Sequence, residues 1–370
     1  MSLTKTSVIV FFLSLILLII SDNLIHGFVA NKKTEQMTVS FRHGLYADYF
    51  SSPSSYYISI SNASLSDSVQ RFRTGKYGEV LDSVYDKKIY DRSCKYVFIG
   101  GSSTETHWVD ETRRWVALVG KKIQDNDSNA VAFNFGVGGQ NLAQSLNRYN
   151  SFINELKPDY VFVMHEANDI SKFLKGGYSV AEGSLHSLYD RTKTYDSISS
   201  RLKSILGNLL PFSYHQWRKY SNKSYIPARS ESLNAFKGME PQKAAEEYAG
   251  RLLALNELVT SHGGTLVLIE YPEVYEEVLL NQSDVVNENV KANIKIGLAN
   301  NSISERDFIK FLKEFRWHLQ TIVQQRDIPQ IKTKGFFDVD DFYDAVHFND
   351  SGSLKFAQFM HNELVDFICR

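Results

Sequence analysis

The 370-residue sequence has almost no excess of either charge. It contains 41 lysines and arginines against 42 aspartates and glutamates, which gives a formal net charge of -1. No nucleic-acid partner is predicted, because the basic excess that draws a protein to phosphates is missing. We interpret the locally basic stretch at 215–229 as a solvated surface segment. Internal repeats are also absent, so one catalytic-size domain with attached segments is expected.

Three sequence motifs that would define a site are missing as well. GGSST at 100–104 lacks the G-x-x-x-x-G-K-[ST] pattern of a P-loop, and GVGGQN at 136–141 does not match G-x-G-x-x-G. Neither Ser102 nor Ser103 has a glycine two positions later. That excludes the G-x-S-x-G elbow of the α/β-hydrolases.

One long apolar run is present, at the N-terminus. Lys5 precedes SVIVFFLSLILLII at 7–20, which predicts an export signal or membrane anchor within residues 1–30. No small-x-small cleavage site follows, so an uncleaved single-pass anchor is favoured. Residues from about 31 onwards would then lie outside the cytoplasm. The alternative is a secreted or periplasmic protein released by signal cleavage.

The rest of the chain predicts an α/β fold. Residues 31–94 form an N-terminal extension packing on a main domain at 95–370, which carries an insertion at about 172–238. Within the main domain, short apolar runs alternate with helical stretches, as in a parallel sheet with crossover helices. The clearest helix covers 304–326, with Ser304 placed to cap its N-terminus. Five strands are predicted, at 95–99, 130–135, 159–164, 265–271 and 335–339.

Polar segments follow several of these strands directly. They are GGSST at 100–104, GVGGQN at 136–141 and HEAND at 165–169. Ligands of open parallel sheets bind beyond the carboxyl ends of the strands, so these segments are expected to share one site.

A fourth polar segment, DVDDFYDAVHFNDSGS at 338–353, follows the last predicted strand. A serine nucleophile needs a base and an acid that orients it, and His347 with Asp344 could supply both. Considered alone, this histidine fits a surface or core residue, and the aspartates fit a solvated loop or a metal site.

Together, the four segments resemble the SGNH, or GDSL, hydrolase family, over residues of about 95–170 and 245–368. The resemblance implies a flavodoxin-like three-layer α/β/α sandwich around a five-stranded parallel sheet. It implies no metal and no organic cofactor. The residues that match the family's functional positions are Ser102 as nucleophile, Gly139 (or alternatively Gly138) and Asn168 in the oxyanion hole with the Ser102 N–H, and the pair Asp344 and His347.

Two positions depart from the family pattern. Gly101 replaces the aspartate of Gly-Asp-Ser, and Glu166 replaces the glycine two residues before the asparagine. The first should leave the nucleophile in place. The second either puts a charge near the oxyanion hole or points away from it.

Serine-dependent ester hydrolysis is therefore expected, with a small-molecule or glycan ester as the substrate. An exported enzyme meets cell-surface polymers, so we favour removal or transfer of an O-acyl group, such as acetyl, on an extracytoplasmic glycan. Aromatic residues of the insertion, among them Phe212, Tyr214 and Trp217, also motivate this interpretation, and their alternative role is to form the insertion's own small core. The alternatives are a lipid esterase or thioesterase, and a non-catalytic binding or assembly protein that keeps the fold.

The topology predicts one cross-link. The strand at 95–99 begins at the sheet edge opposite the catalytic loops, and the final helix runs back towards that edge. Cys94 and Cys369, the two cysteines of the chain, should therefore lie close together. Export to an oxidising compartment would allow them to form a disulfide, with free thiols as the alternative.

Overall fold

The structure is a computed structural model with two compact units. One comprises Met1–His43, Ser59–Ser68 and Tyr189–Leu233, and the other comprises Gly44–Ile58, Val69–Leu188 and Asn234–Arg370. The residues that the structure describes are 14, 16–22, 24, 54–62, 65–75, 77–81, 87–106, 109–178, 213, 238–280, 291, 294, 295, 297–299, 301–367 and 369.

The N-terminal part is described in pieces. Residues 14, 16–22 and 24 are helical, but the rest of the predicted segment 1–30 lies outside the described residues. Among those that are described, no helix combines the length and apolar character needed to cross a bilayer. Strands β1 (Ser54–Asn62) and β2 (Leu65–Thr74) pair as a two-stranded sheet. Most of the predicted insertion at 172–238, including the basic stretch and its aromatic residues, also lies outside the described part.

The main sheet contains five parallel strands, as predicted. In chain order they are β3 (Cys94–Gly100), β4 (Ala130–Gly136), β5 (Tyr160–Met164), β6 (Thr265–Ile269) and β7 (Gln330–Ile331). Their order across the sheet is β4-β3-β5-β6-β7, and every neighbouring pair runs parallel. The first four predicted strands are confirmed to within two residues at each end.

The predicted fifth strand at 335–339 is wrong. The fifth strand is instead β7, which pairs Gln330 and Ile331 with the end of β6. Gly335 has a φ of +76°, which turns the chain out of the extended conformation. The apolar side chains that suggested a strand pack elsewhere, since Phe337 meets Phe356 of the final helix at a ring-centroid distance of 5.5 Å.

Helices cover both faces of the sheet. Alternate β3 residues enter two separate apolar clusters, Val97 and Ile99 in one, Tyr96 and Phe98 in the other, because successive side chains of a strand point to opposite faces. The helices described around the sheet include α1 (Ser102–Glu105), α2 (Trp115–Asn126), α3 (Leu142–Ser151), α4 (Ala167–Phe173), α5 (Pro241–Ser261), α6 (Tyr275–Leu280), α7 (Glu305–Gln324) and α8 (Asp350–Glu363).

The two clusters place helices in two layers. The cluster with Val97 contains buried residues of α3, α5 and α7, and the cluster with Phe98 contains buried residues of α2 and α8. Helix α7 begins where the sequence predicts, because the Ser304 hydroxyl accepts the N–H of Asp307. The result is a three-layer α/β/α arrangement.

The segment before β3 packs on the sheet. Val80 forms an antiparallel bridge with Asn134 of β4, donating its N–H to the Asn134 carbonyl at 2.7 Å. The carboxylate of the neighbouring Glu79 is buried and accepts hydrogen bonds from the Tyr77 N–H, at 2.9 Å, and from the Tyr90 hydroxyl. Burial raises the pKa of Glu79, and these hydrogen bonds, which favour the anion, do not cancel the rise.

A disulfide joins Cys94, the first residue of β3, to Cys369 after the final helix. The two Cα atoms are 5.8 Å apart and 275 positions apart in sequence. Among the described residues, three side chains of types that can bind a metal lie close together, those of Cys94, Asp159 and Cys369. With both sulfurs in the disulfide, this group has no thiolate to offer a metal.

Removing the disulfide should cost stability. A covalent link across so long a loop restricts the unfolded chain, and its loss typically costs about 2–5 kcal/mol. We expect the Cys94→Ala/Cys369→Ala variant to unfold at a lower urea concentration than the wild type, as followed by tryptophan fluorescence. Each single variant should lose as much unfolding free energy as the double variant, because either substitution removes the whole cross-link. Equal midpoints for the oxidised and reduced wild type would contradict this prediction.

Candidate active site

The carboxyl ends of three adjacent strands bring the predicted site residues together. β3 lies between β4 and β5. The chain runs from β3 to β4 on one side and then crosses back to β5 on the other, which makes this the switch point where ligands bind in open α/β sheets. Ser102 follows β3, Gly139 follows β4 and Asn168 follows β5. The loop carrying Asp344 and His347 precedes α8.

A chain of hydrogen bonds links Ser102, His347 and Asp344. The Ser102 Oγ lies 2.7 Å from Nε2 of His347, and Nδ1 of His347 lies 2.6 Å from Oδ2 of Asp344. A carboxylate can only accept, so the imidazole proton lies on Nδ1 and the Nε2 lone pair faces the serine hydroxyl. This geometry allows His347 to take the hydroxyl proton as a general base.

Asp344 is held as an anion. Its Oδ1 accepts the backbone N–H groups of Val346, at 2.8 Å, and His347, at 2.9 Å. Desolvation opposes ionisation, but the attraction of His347 and these hydrogen bonds outweigh it and lower the pKa of Asp344 below its ordinary value of 3.8. The carboxylate therefore stays charged at neutral pH and orients the imidazole.

Ser103, the neighbouring serine, has a different environment. Its side chain is fully buried, and its Oγ lies 2.9 Å from the Val346 carbonyl and 2.5 Å from the Tyr271 hydroxyl. The two adjacent serines are therefore distinguished by tertiary contacts: Ser102 meets a histidine, and Ser103 meets the loop that carries it.

The loop after β4 presents Gly138 and Gly139 differently. The Gly138 N–H donates to Oε2 of Glu105, on the nucleophile helix α1, at 2.8 Å. Gly139 is exposed with a φ of +77°, a conformation that favours glycine. Within the described residues its N–H has no protein acceptor. The structure therefore commits the Gly138 donor to the protein and leaves that of Gly139 available to a ligand.

Asn168 lies against the nucleophile turn. Its Nδ2 donates one hydrogen to the Gln140 carbonyl at 2.8 Å, which leaves a second hydrogen. A Cβ added at Gly101 would stand 2.9 Å from the same Nδ2. Gly101 therefore leaves room for the asparagine amide.

Glu166 forms an ion pair with an arginine of a distant helix. Its carboxylate is buried and pairs with Arg316 of α7, whose Nε lies 3.0 Å from Oε1, while Nη1 of Arg316 reaches Glu273 at 2.6 Å. Burial raises the pKa of Glu166, and Arg316 opposes this. Arg316 pairs with both carboxylates, so the Glu166 charge has a cationic partner, although the three groups together keep a formal charge of -1.

Behind the site, a buried polar cluster joins α3 to α4. Oδ1 of Asp169 accepts the Leu142 N–H at 2.9 Å, and the Ser145 hydroxyl lies 2.8 Å from Nε2 of His165. Burial lowers the pKa of His165 to about 3, aided by Arg148, and raises that of Asp169 to about 7. This serine, histidine and aspartate are enclosed, so the cluster fixes helices rather than meeting a substrate.

Sequence reasoning missed several residues of the site. Glu105, Gln140, Tyr271 and Arg316 each support a residue that a motif identified. Glu105 and Gln140 stand within or beside the quoted segments, so proximity to a motif was an available signal. Tyr271 and Arg316 lie far from any motif, and their contacts depend on the packing of α7 and the end of β6.

The chain matches a model of a known protein family. A family model described as GDSL-like lipase/acylhydrolase matches residues 96–360, which is more than half of the chain. No curated protein matches the chain at a significant level of sequence similarity.

Solved structures show weaker similarity. A catalytic mutant of an acetylxylan esterase from Geobacillus stearothermophilus is 14% identical with a TM-score of 0.40, over 74% of this chain and 94% of that chain. A psychrotrophic esterase from Pseudoalteromonas sp. is 12% identical with a TM-score of 0.41, over 74% and 97%. Values this low bear on neither the substrate nor the site residues.

Proposed function

The chain belongs to the GDSL-like lipase/acylhydrolase family of ester hydrolases, and we propose that it cleaves its ester through an acyl-enzyme on Ser102. The observation that carries this proposal is the continuous hydrogen-bond chain from Ser102 through His347 to Asp344, at 2.7 and 2.6 Å. A reactive serine of this kind needs both a base and an orienting carboxylate.

The reaction has two halves. Nε2 of His347 takes the hydroxyl proton as the Ser102 Oγ attacks the ester carbonyl, and the tetrahedral intermediate collapses when the imidazolium returns that proton to the leaving alkoxide. Water then gives a proton to His347 as its oxygen attacks the acyl carbon, and the imidazolium returns that proton to the Ser102 Oγ as the bond to the acyl carbon breaks and the acid is released. An acceptor alcohol in place of that water would make the same site a transferase.

Three donors are proposed for the oxyanion. They are the N–H groups of Ser102 and Gly139 and the second amide hydrogen of Asn168. The bond from Gly138 to Glu105 supports Gly139 over Gly138. Preorganised donors of this kind typically contribute on the order of 10²–10³ each to the rate.

The proposed substrate is an O-acyl ester, such as an acetyl group, on a glycan outside the cytoplasm. Support for this location comes from Lys5 and the apolar run at 7–20, which favour export or anchoring. In the helical residues that are described there, Leu17 and Ile20 expose more than half of their surface. A lipid ester or thioester is the second candidate, since an anchored enzyme also meets membrane lipids.

A labelling experiment tests the nucleophile. The full-length protein in detergent should react with a fluorophosphonate probe, and peptide mapping should place the label on Ser102. Heat-denatured protein serves as the control, because denaturation separates Ser102 from His347. A label on another serine, or equal labelling after denaturation, would contradict the proposal.

A substrate comparison tests the acyl group and its carrier. We expect faster release of acetate from acetylated polysaccharide and p-nitrophenyl acetate than of long-chain acid from p-nitrophenyl palmitate. The reverse preference would reject the glycan proposal in favour of the lipid candidate while leaving the ester hydrolase intact.

A further inference from the structure

The position of His347 depends on how its loop is held. Asp344 organises the loop internally through the N–H groups of Val346 and His347, and the Tyr343 N–H donates to the His347 carbonyl at 2.7 Å. None of these bonds fixes the loop relative to Ser102, which lies 245 positions earlier. Other contacts must set the distance between nucleophile and base.

One side chain connects the two elements directly. Ser103 belongs to helix α1 beside the nucleophile, and its Oγ donates to the carbonyl of Val346, the residue before the base, at 2.9 Å. The Trp115 indole N–H donates to the Ser103 carbonyl at 2.9 Å. Because one end of the link adjoins Ser102 and the other adjoins His347, it constrains the gap across which the proton must move.

Tyr271 completes this link. A serine hydroxyl has one proton, and Ser103 gives it to Val346, so the 2.5 Å contact with Tyr271 requires the tyrosine to donate to Ser103. Burial raises the pKa of Tyr271, which keeps the phenol protonated at neutral pH. With one lone pair of Ser103 occupied in this way, its proton is directed at the Val346 carbonyl.

The same chain segment holds the base loop at a second point. Tyr271 follows β6, and three residues later the Val274 N–H donates to the Ala345 carbonyl at 3.0 Å. Two successive carbonyls of the base loop, those of Ala345 and Val346, are therefore bound from outside the loop. The Ser103 and Tyr271 contacts are fully or almost fully buried, so water does not substitute readily for them.

We propose that Ser103 and Tyr271 are positioning residues that hold His347 in register with Ser102. This inference rests on the proposed function of Ser102 and His347. It also gives the second serine of GGSST a role other than nucleophile, because its Oγ is enclosed and contacts a carbonyl and a phenol rather than an imidazole.

The effect should fall on kcat rather than KM. Ser103 and Tyr271 do not reach the solvent-facing side of the site, so substrate binding should persist without them. Displacement of reacting groups by about 1 Å can cost on the order of 10² in rate. We expect Ser103→Ala to lower kcat for p-nitrophenyl acetate roughly 10- to 100-fold with KM changed less than about twofold, and fluorophosphonate labelling to slow in parallel.

Tyr271 should act through Ser103. Tyr271→Phe is expected to lower kcat roughly 3- to 10-fold, and the Ser103→Ala/Tyr271→Phe variant should be no slower than Ser103→Ala alone, since groups in one network are not additive. Tyr96→Phe is the matched control. It removes another buried tyrosine hydroxyl that donates to a backbone carbonyl, that of Phe367 at 2.7 Å, at the opposite edge of the sheet.

The outcomes separate this inference from the proposed function. The positioning role is wrong if Ser103→Ala and Tyr271→Phe both keep kcat within twofold of that of Tyr96→Phe. It is also wrong if the loss of kcat in the double variant equals the product of the two single losses. In either case an active wild type still supports the proposed role of Ser102. A wild type without esterase activity overturns both. If Ser103→Ala does not fold, Tyr271→Phe against Tyr96→Phe decides alone.

Discussion

Replacing Ser102 with alanine is expected to abolish ester hydrolysis. Loss of the nucleophile in a serine hydrolase typically lowers kcat by about 10⁴- to 10⁶-fold, because the remaining groups act on a carbonyl that nothing attacks. Hydrolysis of p-nitrophenyl acetate by full-length protein in detergent measures the effect. Among the residues that the structure describes, the Ser102 side chain bonds only to His347, so the variant should fold and keep the disulfide between Cys94 and Cys369.

The matched control for this variant is Ser151→Ala. Ser151 is an exposed serine at the end of α3 whose hydroxyl donates to the Asn147 carbonyl at 2.7 Å, and its loss should leave kcat unchanged. If Ser102→Ala keeps more than about a tenth of the wild-type activity, Ser102 is not the nucleophile. Circular dichroism of both variants shows whether any loss reflects unfolding.

Asp344→Asn should have the second-largest effect. An asparagine can keep the Val346 and His347 N–H bonds through its oxygen, but its amide nitrogen then faces Nδ1 of His347. Two donors cannot face each other, so the imidazole proton moves to Nε2 and the base loses the lone pair that faces Ser102. In serine proteases this change lowers kcat by about 10⁴ with the geometry intact, and we expect a loss of that order.

Asp340→Asn provides the control with the same change of charge. Asp340 is exposed in the same loop, and its backbone carbonyl, not its carboxylate, accepts a bond from Asn349. The kcat of the Asp340→Asn variant should match that of the wild type. Comparable losses in the two variants would show that loop charge, rather than orientation of His347, controls the rate.

The pH profile adds an independent check on Asp344. Its lowered pKa keeps the carboxylate ionised to below pH 3.8, so acidification from neutral pH to about 5 does not titrate it. A loss of activity over that range therefore does not come from protonation of Asp344.

Much of the fold could be predicted from local sequence. Four strands and the start of α7 were predicted closely, because an apolar run bounded by polar turns and a serine cap are encoded by neighbouring residues. β7 could not be predicted in this way, since two residues carry no periodicity. Its pairing depends on the end of β6, and Glu270, the residue after β6, accepts the N–H groups of Thr333 and Lys334 at 2.9 and 3.0 Å.

For the site, as for the fold, local sequence predicted some features and not others. The motifs selected Ser102, Asn168 and the pair Asp344 and His347 as candidates because each segment stands directly after a strand or before a helix. They left open whether Glu166 approaches the oxyanion hole. Its partner, Arg316, lies 150 positions away on α7, and the spacing along the chain contains no information about that contact.

The sequence by itself determined the strands that carry the site and the types of residue at their carboxyl ends, because parallel strands necessarily deliver their loops to one edge. Tertiary structure alone decided which of two adjacent serines faces the histidine, which of two glycines keeps an available N–H, and which cation pairs with Glu166. Each of these depends on a partner from another segment of the chain: Tyr271 for Ser103, Glu105 for Gly138 and Arg316 for Glu166. Such partners meet only when the helices pack on the sheet.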